Sequence, residues 1–571
     1  MTRTAIDPIT RIEGHLRLEV EHTGGTVVDA WSSGTMFRGI ELILQGRDPR
    51  DAWVFTQRAC GVCTHVHALA SIRAVENALG ITVPTNARLL RNILTASQLV
   101  HDHVIHFFHL HAPDWIDVVP ALSADPAATA TLCRKNNPGW PNNTTAYFQT
   151  VQDKLKTFAS TGLGPFANGY WGHPGYTLPP EANLLAVAHY LEALEWQRDF
   201  IRINAIIGGK NPHPQTYVVG GMALSFAPSA PMGVNSTALA ELASLAAKGK
   251  EFVDKVLLPD VKLIASAYAT PWSTLGAGVG NFLAYGELPE TDAGMSSNFL
   301  PTGRVIGRDL THVLPFDQAQ VAETVAHSWY KYATGDAALT HPYKGKTVPN
   351  YTGPTPPYDS LTSSKYSWLK APRYAGEAYE VGPLARMAVA YTLGRADVRA
   401  AVDGFLSSLG LPKAALFSTL GRIAARAIET QLVADRLLVW IQELSTNQKN
   451  GVLTIANTSK WEPSTWPKKA QGFGLVEAPR GALGHWVHIA SGVIKNYQMV
   501  VPTTWNGSPR DGSGVLGAWE QALIGTPLAD PSRPLEVLRT VHSFDPCMGC
   551  SVHVFDPHGA QSCALEIEHD D

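Results

Sequence analysis

Two cysteine pairs carry the strongest chemical signal in the sequence. Cys60-Gly61-Val62-Cys63 and Cys547-Met548-Gly549-Cys550 are both C-x-x-C, a spacing that lets two thiolates converge on one metal. Four soft sulfurs select zinc, iron–sulfur clusters or other thiophilic transition metals. A structural zinc site usually draws its pairs from neighbouring sequence, but Cys547 follows Cys63 by 484 positions. A large protein that brings its two ends to one buried place is building a reactive centre. A zinc staple and two independent redox pairs are the alternatives that spacing leaves open. Cys133 and Cys563 stand alone and read as plain thiols. Asp102, His106 and His109 fall at i, i+4 and i+7 of a helical stretch, on one face. That could be a further metal site, but histidines on a buried face are more often packed and hydrogen-bonded.

The elements that must position these groups are mainly helical. Residues 15–21 alternate apolar and polar, Thr23-Gly24-Gly25 supplies a turn, and a second strand starts at 26, which predicts an N-terminal hairpin. Apolar stripes predict helices over 86–112, 183–206, 237–258, 413–444 and about 534–542. The Gly-, Pro- and Asn-rich stretches 134–182, 269–316 and 334–382 are too long for tight connections and too rich in Trp and Tyr for flexible linkers. They read as ordered loops. The expected fold is α+β, mainly α: a large helical bundle with a small N-terminal β-sheet and no clean domain boundary.

The 571 residues carry 45 Lys plus Arg against 49 Asp plus Glu, a net charge of -4. With a pI of about 6.6, this balance argues against a nucleic-acid binder. Charged residues are only 16% and hydrophobic ones 45%, so a large core can form and a partner can cover part of the surface. Six cysteines are too few for a disulfide scaffold. No apolar run is long enough to span a membrane. The first residues lack the apolar core of a signal peptide.

The residues around the cysteines are more specific than their spacing. RIEGHLRLEVE (11–21), FTQRACGVCTHVHALASIRAVENALGI (55–81) and SFDPCMGCSVH (543–553) strongly resemble the large subunit of a [NiFe] hydrogenase. HDHVIHFFHLHAPDWIDV (101–118), HSWYKY (327–332), EAPRGALGHW (477–486) and NYQMVVPTTWN (496–506) follow in the family's order. The chain length and the HLHAPDW and VVPTTWN blocks are most similar to the membrane-associated uptake group.

The resemblance implies a Ni-Fe centre with Cys60 and Cys547 as terminal nickel ligands and Cys63 and Cys550 as bridges to an iron bearing carbon monoxide and cyanide. It implies reversible heterolytic cleavage of H2, uptake being the favoured direction. Arg480 matches the arginine over the open coordination site, with Asp102 and Asp545 as the acids that orient it. The base is a terminal thiolate such as Cys547 or the guanidinium of Arg480, although arginine is a poor base. Glu13 matches the glutamate that relays the proton away, a role that burial suits by raising its pKa. His67 matches a histidine bonded to a bridging sulfur; His65 has no such match and reads as structural. Pro479 and Thr503 match positions around the diatomic ligands. Glu41, the carbonyl of Met499 and His553 match a magnesium site, occasionally assigned to iron in the family.

The resemblance further implies two segments: a catalytic chain of residues 1–553 and an extension, 554–571, removed by a maturation endopeptidase. Beyond the four paired cysteines only Cys133 and Cys563 remain, too few for an iron–sulfur cluster, so electrons must leave through a cluster-bearing small subunit. In the uptake group that partner carries a twin-arginine signal, placing the pair on the outer, periplasmic face of the membrane with a cytochrome b as the usual acceptor. A cytoplasmic cofactor-reducing hydrogenase, a quinone-binding relative of the complex I type and a zinc-stapled scaffold are the competing readings. Relatives of the complex I type lose the cysteines, and this chain retains all four.

Overall fold

A computed structural model describes residues 2–353 and 364–551, without the side chains of Pro165, Cys550 and Ser551. His553, Cys563 and the extension 554–571 lie outside the described residues.

The chain opens with an antiparallel sheet of β1 (Thr2–Ile6), β2 (Leu16–Thr23) and β3 (Thr26–Gly34), in the order β1-β2-β3. The expected hairpin is β2–β3; β1 adds a strand to it. Helix α1 (Val66–Leu79) follows the first cysteine pair and stops at left-handed Gly80. Helix α2 (Thr85–Ile105) buries Leu89, Leu90, Ile93, Leu94, Val100 and Val104. It continues as a π-helical turn, His106–His111, which resets the register within the predicted 86–112 helix.

The stretch 134–182, expected as loop, contains helix α3 (Thr145–Ser160). Thr144 caps it by accepting the Tyr147 N–H at 3.2 Å. Helix α4 (Pro180–Phe200) follows. Helix α5 (Ser236–Phe252) runs through a second π turn, Val253–Leu257, into α6 (Leu258–Trp272). The stretch 269–316 is loop interrupted by two small two-stranded sheets.

Helix α7 (Pro383–Thr392) and the 31-residue α8 (Thr419–Lys449) complete the bundle. Ser418 caps α8 through the Gly421 N–H at 3.0 Å. Helices α2, α5, α6 and α7 all pack on α8. A second antiparallel sheet, β4 (Lys469–Ala478), β5 (Gly481–Ala490) and β6 (Val493–Val500), was not expected from the sequence. Both its faces are covered, so β5 is buried at nearly every position and shows no alternation for a pattern to reveal. Helix α9 (Leu535–His542) and the single turn α10 (Met548–Ser551) close the described chain. The architecture is the expected α+β, mainly helical.

Strand β4 lies on α1 at a separation only glycine permits. A Cβ at Gly474 would stand 2.0 Å from the Ala70 carbonyl oxygen, and one at Gly472 2.3 Å from that of Ala74. This contact fixes the helix after the first cysteine pair against the hairpin that carries Arg480.

Candidate metal centre

Cys60, Cys63 and Cys547 converge. Their sulfur atoms lie within 4.8 Å of one another, all buried, and Cys60 and Cys547 Sγ are 3.4 Å apart. The first pair sits on a tight turn before α1, where the N–H groups of Val62 and Cys63 donate to Cys60 Sγ at 3.3 and 3.1 Å. The second pair enters on the segment between α9 and α10. Asp545 there adopts left-handed φ 58, and the Cys547 N–H donates to Thr503 Oγ1 at 3.1 Å. The backbone of Cys550 belongs to α10.

The chain's beginning and end are bonded at this point. Glu13 and Cys547 form an isolated parallel bridge, and the Glu13 carbonyl accepts the Met548 N–H at 2.7 Å. Glu13 Oε2 lies 3.4 Å from Cys547 Sγ and accepts the Gly549 N–H at 2.5 Å. Burial raises the Glu13 carboxyl above its ordinary range and the Cys60 sulfur adds to this; the Gly549 N–H, Cys547 and Arg480 pull the other way without cancelling it. The arrangement suits a group that must gain and lose a proton beside a sulfur.

Arg480 sits in the two-residue turn between β4 and β5, near enough to Cys547 and Cys63 to be coupled to their charge. Its Nη1 is 3.3 Å from Asp102 Oδ2 and its Nη2 is 3.0 Å from Asp545 Oδ1. Burial opposes its charge, but Asp545, Cys547, Asp102 and Cys63 together hold it well above the ordinary arginine value. It therefore remains a cation. Its Nε has no partner among the described residues, a buried donor left for something else in the site. Burial raises Asp545, with Arg480 and Arg426 opposing. Pro479 lies beside Arg480, its carbonyl held by Arg386 Nη2 at 3.1 Å.

His67 shares a 3.1 Å hydrogen bond with His485, and His485 Nδ1 one of 2.7 Å with the Tyr497 hydroxyl. Burial pushes His67 down to about 4, so the ring is neutral near pH 7. The sequence blocks included His485 and Tyr497 but gave them no role. His65 is structural as expected, bonding the Leu94 carbonyl at 3.0 Å and Tyr217 at 3.1 Å. Arg38 was missed altogether. It donates to the Arg58 and Ala59 carbonyls at 2.6 and 2.8 Å and to Gly549 at 3.3 Å, tying the two cysteine segments together.

Glu41 and Met499 also meet: Glu41 Oε1 accepts the Met499 N–H at 2.8 Å. Glu41 Oε2 lies 3.4 Å from Lys370 Nζ and bonds Thr347. The Asp102, His106, His109 face does not become a site. His106 bonds the His542 carbonyl at 2.7 Å and His109 that of Tyr190 at 3.1 Å, while Asp102 faces Arg480. Cys133 is buried, with the Asn142 carbonyl 3.8 Å from its sulfur.

A sulfur-rich, buried donor set framed by a cation and a perturbed carboxylate fits a thiophilic transition-metal centre with access to proton transfer. Comparison with known proteins agrees. Residues 38–553 match the family model for nickel-dependent hydrogenases. The chain is 49% identical to an uptake hydrogenase large subunit from Rhizobium leguminosarum bv. viciae, over 99% of this chain and 97% of that one. It is likewise 49% identical to the hydrogenase-1 large chain of Escherichia coli K12, with the same coverage. Among solved structures, the Ni-Fe-Se hydrogenase of D. vulgaris Hildenborough in the reduced state superimposes with a TM-score of 0.76 at 34% identity, covering 97% of this chain and 100% of that one.

Proposed function

The chain belongs to the nickel-dependent hydrogenase family, and from that premise we propose that it is the large, catalytic subunit of an uptake hydrogenase that cleaves H2 heterolytically. The observation that carries this reading is the meeting of Cys60, Cys63 and Cys547 sulfurs within 4.8 Å. Cys60, Cys63, Cys547 and Cys550 would hold a nickel–iron centre whose iron carries carbon monoxide and cyanide, with Pro479 and Thr503 among the residues around it. Such a centre supplies the Lewis acidity that polarises H2 and the redox capacity for its two electrons.

The chain's own groups handle the proton. Cys547, which hydrogen-bonds Glu13, is the first acceptor. The Glu13 carboxyl, 3.4 Å away, takes the proton on, its proton affinity raised by burial. Arg480, held by Asp102 and Asp545, stays charged and serves to orient and polarise rather than to accept a proton. His67, through His485 and Tyr497, keeps a fixed ring orientation from which to bond a bridging sulfur. A magnesium or iron ion at Glu41, the Met499 carbonyl and His553 would share its carboxylate with Lys370.

Electrons would pass to the iron–sulfur clusters of a small subunit and then to a membrane cytochrome b. The small subunit's twin-arginine signal would place the pair on the periplasmic face of the membrane; no helix among the described residues is long and apolar enough to cross one. Cleavage by a maturation endopeptidase would leave His553 as the mature terminus, a point that mass spectrometry of active enzyme checks. The test of the function is metal analysis and infrared spectroscopy of the purified heterodimer. Nickel, iron-bound carbonyl and cyanide bands and H2-dependent dye reduction are expected. Zinc without nickel would overturn the proposal.

A further inference from the structure

The Arg480 turn is braced from behind by a second arginine. Pro479 and Arg480 form a two-residue turn between Ala478 and Gly481, which pair across the hairpin. Arg386, on α7, has five N–H donors in a planar fork, and all are used. Nε donates to Glu429 Oε2 at 2.7 Å, Nη1 to Glu477 Oε2 at 2.8 Å and the Ala478 carbonyl at 2.9 Å, and Nη2 to Glu429 Oε1 at 2.5 Å and the Pro479 carbonyl at 3.1 Å. All three side chains are fully buried. The residue that precedes α7 touches the same turn: a Cβ at Gly382 would come 3.0 Å from the Arg480 carbonyl oxygen. Glu429 is held in turn by His103 Nε2 at 2.8 Å, and Glu477 by the Tyr285 N–H at 2.5 Å.

We infer that Arg386 is a positioning residue for Arg480. Two carboxylates would suffice for a buried ion pair; the two carbonyl bonds go to the two residues immediately preceding Arg480. They prevent the turn from rotating and so fix where its guanidinium stands relative to the sulfurs. Lysine at 386 keeps the charge but offers three donors from one nitrogen, which cannot span both carboxylates and both carbonyls. The inference rests on the hydrogenase reading and concerns the holoenzyme with its small subunit.

The experiment compares Arg386→Lys, Arg480→Lys and the double variant. Arg386→Lys is expected to keep its nickel and its KM for H2. It should lose about tenfold or more in kcat, as misplacing a reacting group does, and exchange the amides of Ala478 and residues 480–482 faster with deuterium. In the Arg480→Lys background it should cost little more, because both changes remove the same placement. Unchanged turnover and exchange, or a full multiplicative loss in the double variant, would overturn the inference. Should Arg386→Lys fail to accumulate, Glu477→Gln, which keeps shape and removes one charge, must raise exchange in the same amides, and unaltered exchange there would refute the bracing. Absence of H2 turnover in the unsubstituted enzyme would instead sink the functional reading.

Discussion

Glu13 can reach Cys547 only because position 549 has no side chain. A Cβ there would stand 2.2 Å from Glu13 Oε1, so Gly549→Ala must displace the carboxylate. Glu13→Gln keeps its shape but cannot carry a proton. Both variants are expected to retain nickel. The glutamine is expected to lower H2 turnover and proton exchange with solvent by about 100-fold or more, as loss of a general acid–base does, with alanine at 549 moving in the same direction. Turnover close to wild type in Glu13→Gln would remove Glu13 from the proton route. At this scale the sequence was most legible where residues stood in motif blocks: Cys60, Cys63 and Cys547 meet, with Glu13, Arg480, Asp102 and Asp545 beside them. Arg38 and Arg386 were not, since a lone arginine carries no sign in sequence of which carbonyls it will find.

Between elements, the decisive contact is that of α1 with β4. The first cysteine pair leads into α1 and Arg480 follows β4, so the helix–strand separation governs how far the guanidinium stands from that pair. Gly474→Ala places a methyl 2.0 Å from the Ala70 carbonyl oxygen and should cost about 1–3 kcal/mol, the range for overpacking. Thermal unfolding of the heterodimer measures the loss, and kcat should fall along with Tm. Unchanged stability would mean that helix and strand can part freely. Long helices announced themselves through their apolar stripes, and α8 extends five residues past its expected end at 444. The β4–β6 sheet did not, because burial on both faces removes the alternation that marks a strand. The π turn at His106–His111 was equally hidden, since the apolar stripe runs on into it at Phe108.

The whole molecule should be acid-sensitive. Burial lowers His103 and His109 to about 4 and His111 to about 3, all below the ordinary 6.5. The unfolded chain therefore binds protons that the folded one refuses as pH falls below 6.5. Each such group removes about 1.4 kcal/mol of stability per pH unit until its folded pKa is reached. Tm of the heterodimer should decline from pH 6.5 toward 4, less steeply than the histidines alone dictate, because the buried carboxyls of Glu323, Glu477 and Glu520, raised to about 7, take up protons in the folded state over the same range. His109→Gln, which keeps a donor for the Tyr190 carbonyl, should make the decline shallower by one group's share; an identical slope would show that His109 titrates normally. The overall architecture was foreseeable from helix patterning. The meeting of both chain ends was foreseeable only from the cysteine spacing and its motifs.

That meeting has a consequence in time. At about 5–20 residues per second of synthesis, Cys547 leaves the ribosome roughly 25–100 s after Cys63. Throughout that interval the earlier pair is an incomplete chelator, able to capture whatever thiophilic ion diffuses past. The turn that brings in Cys547 thus also completes the chelator, and with it the choice of metal.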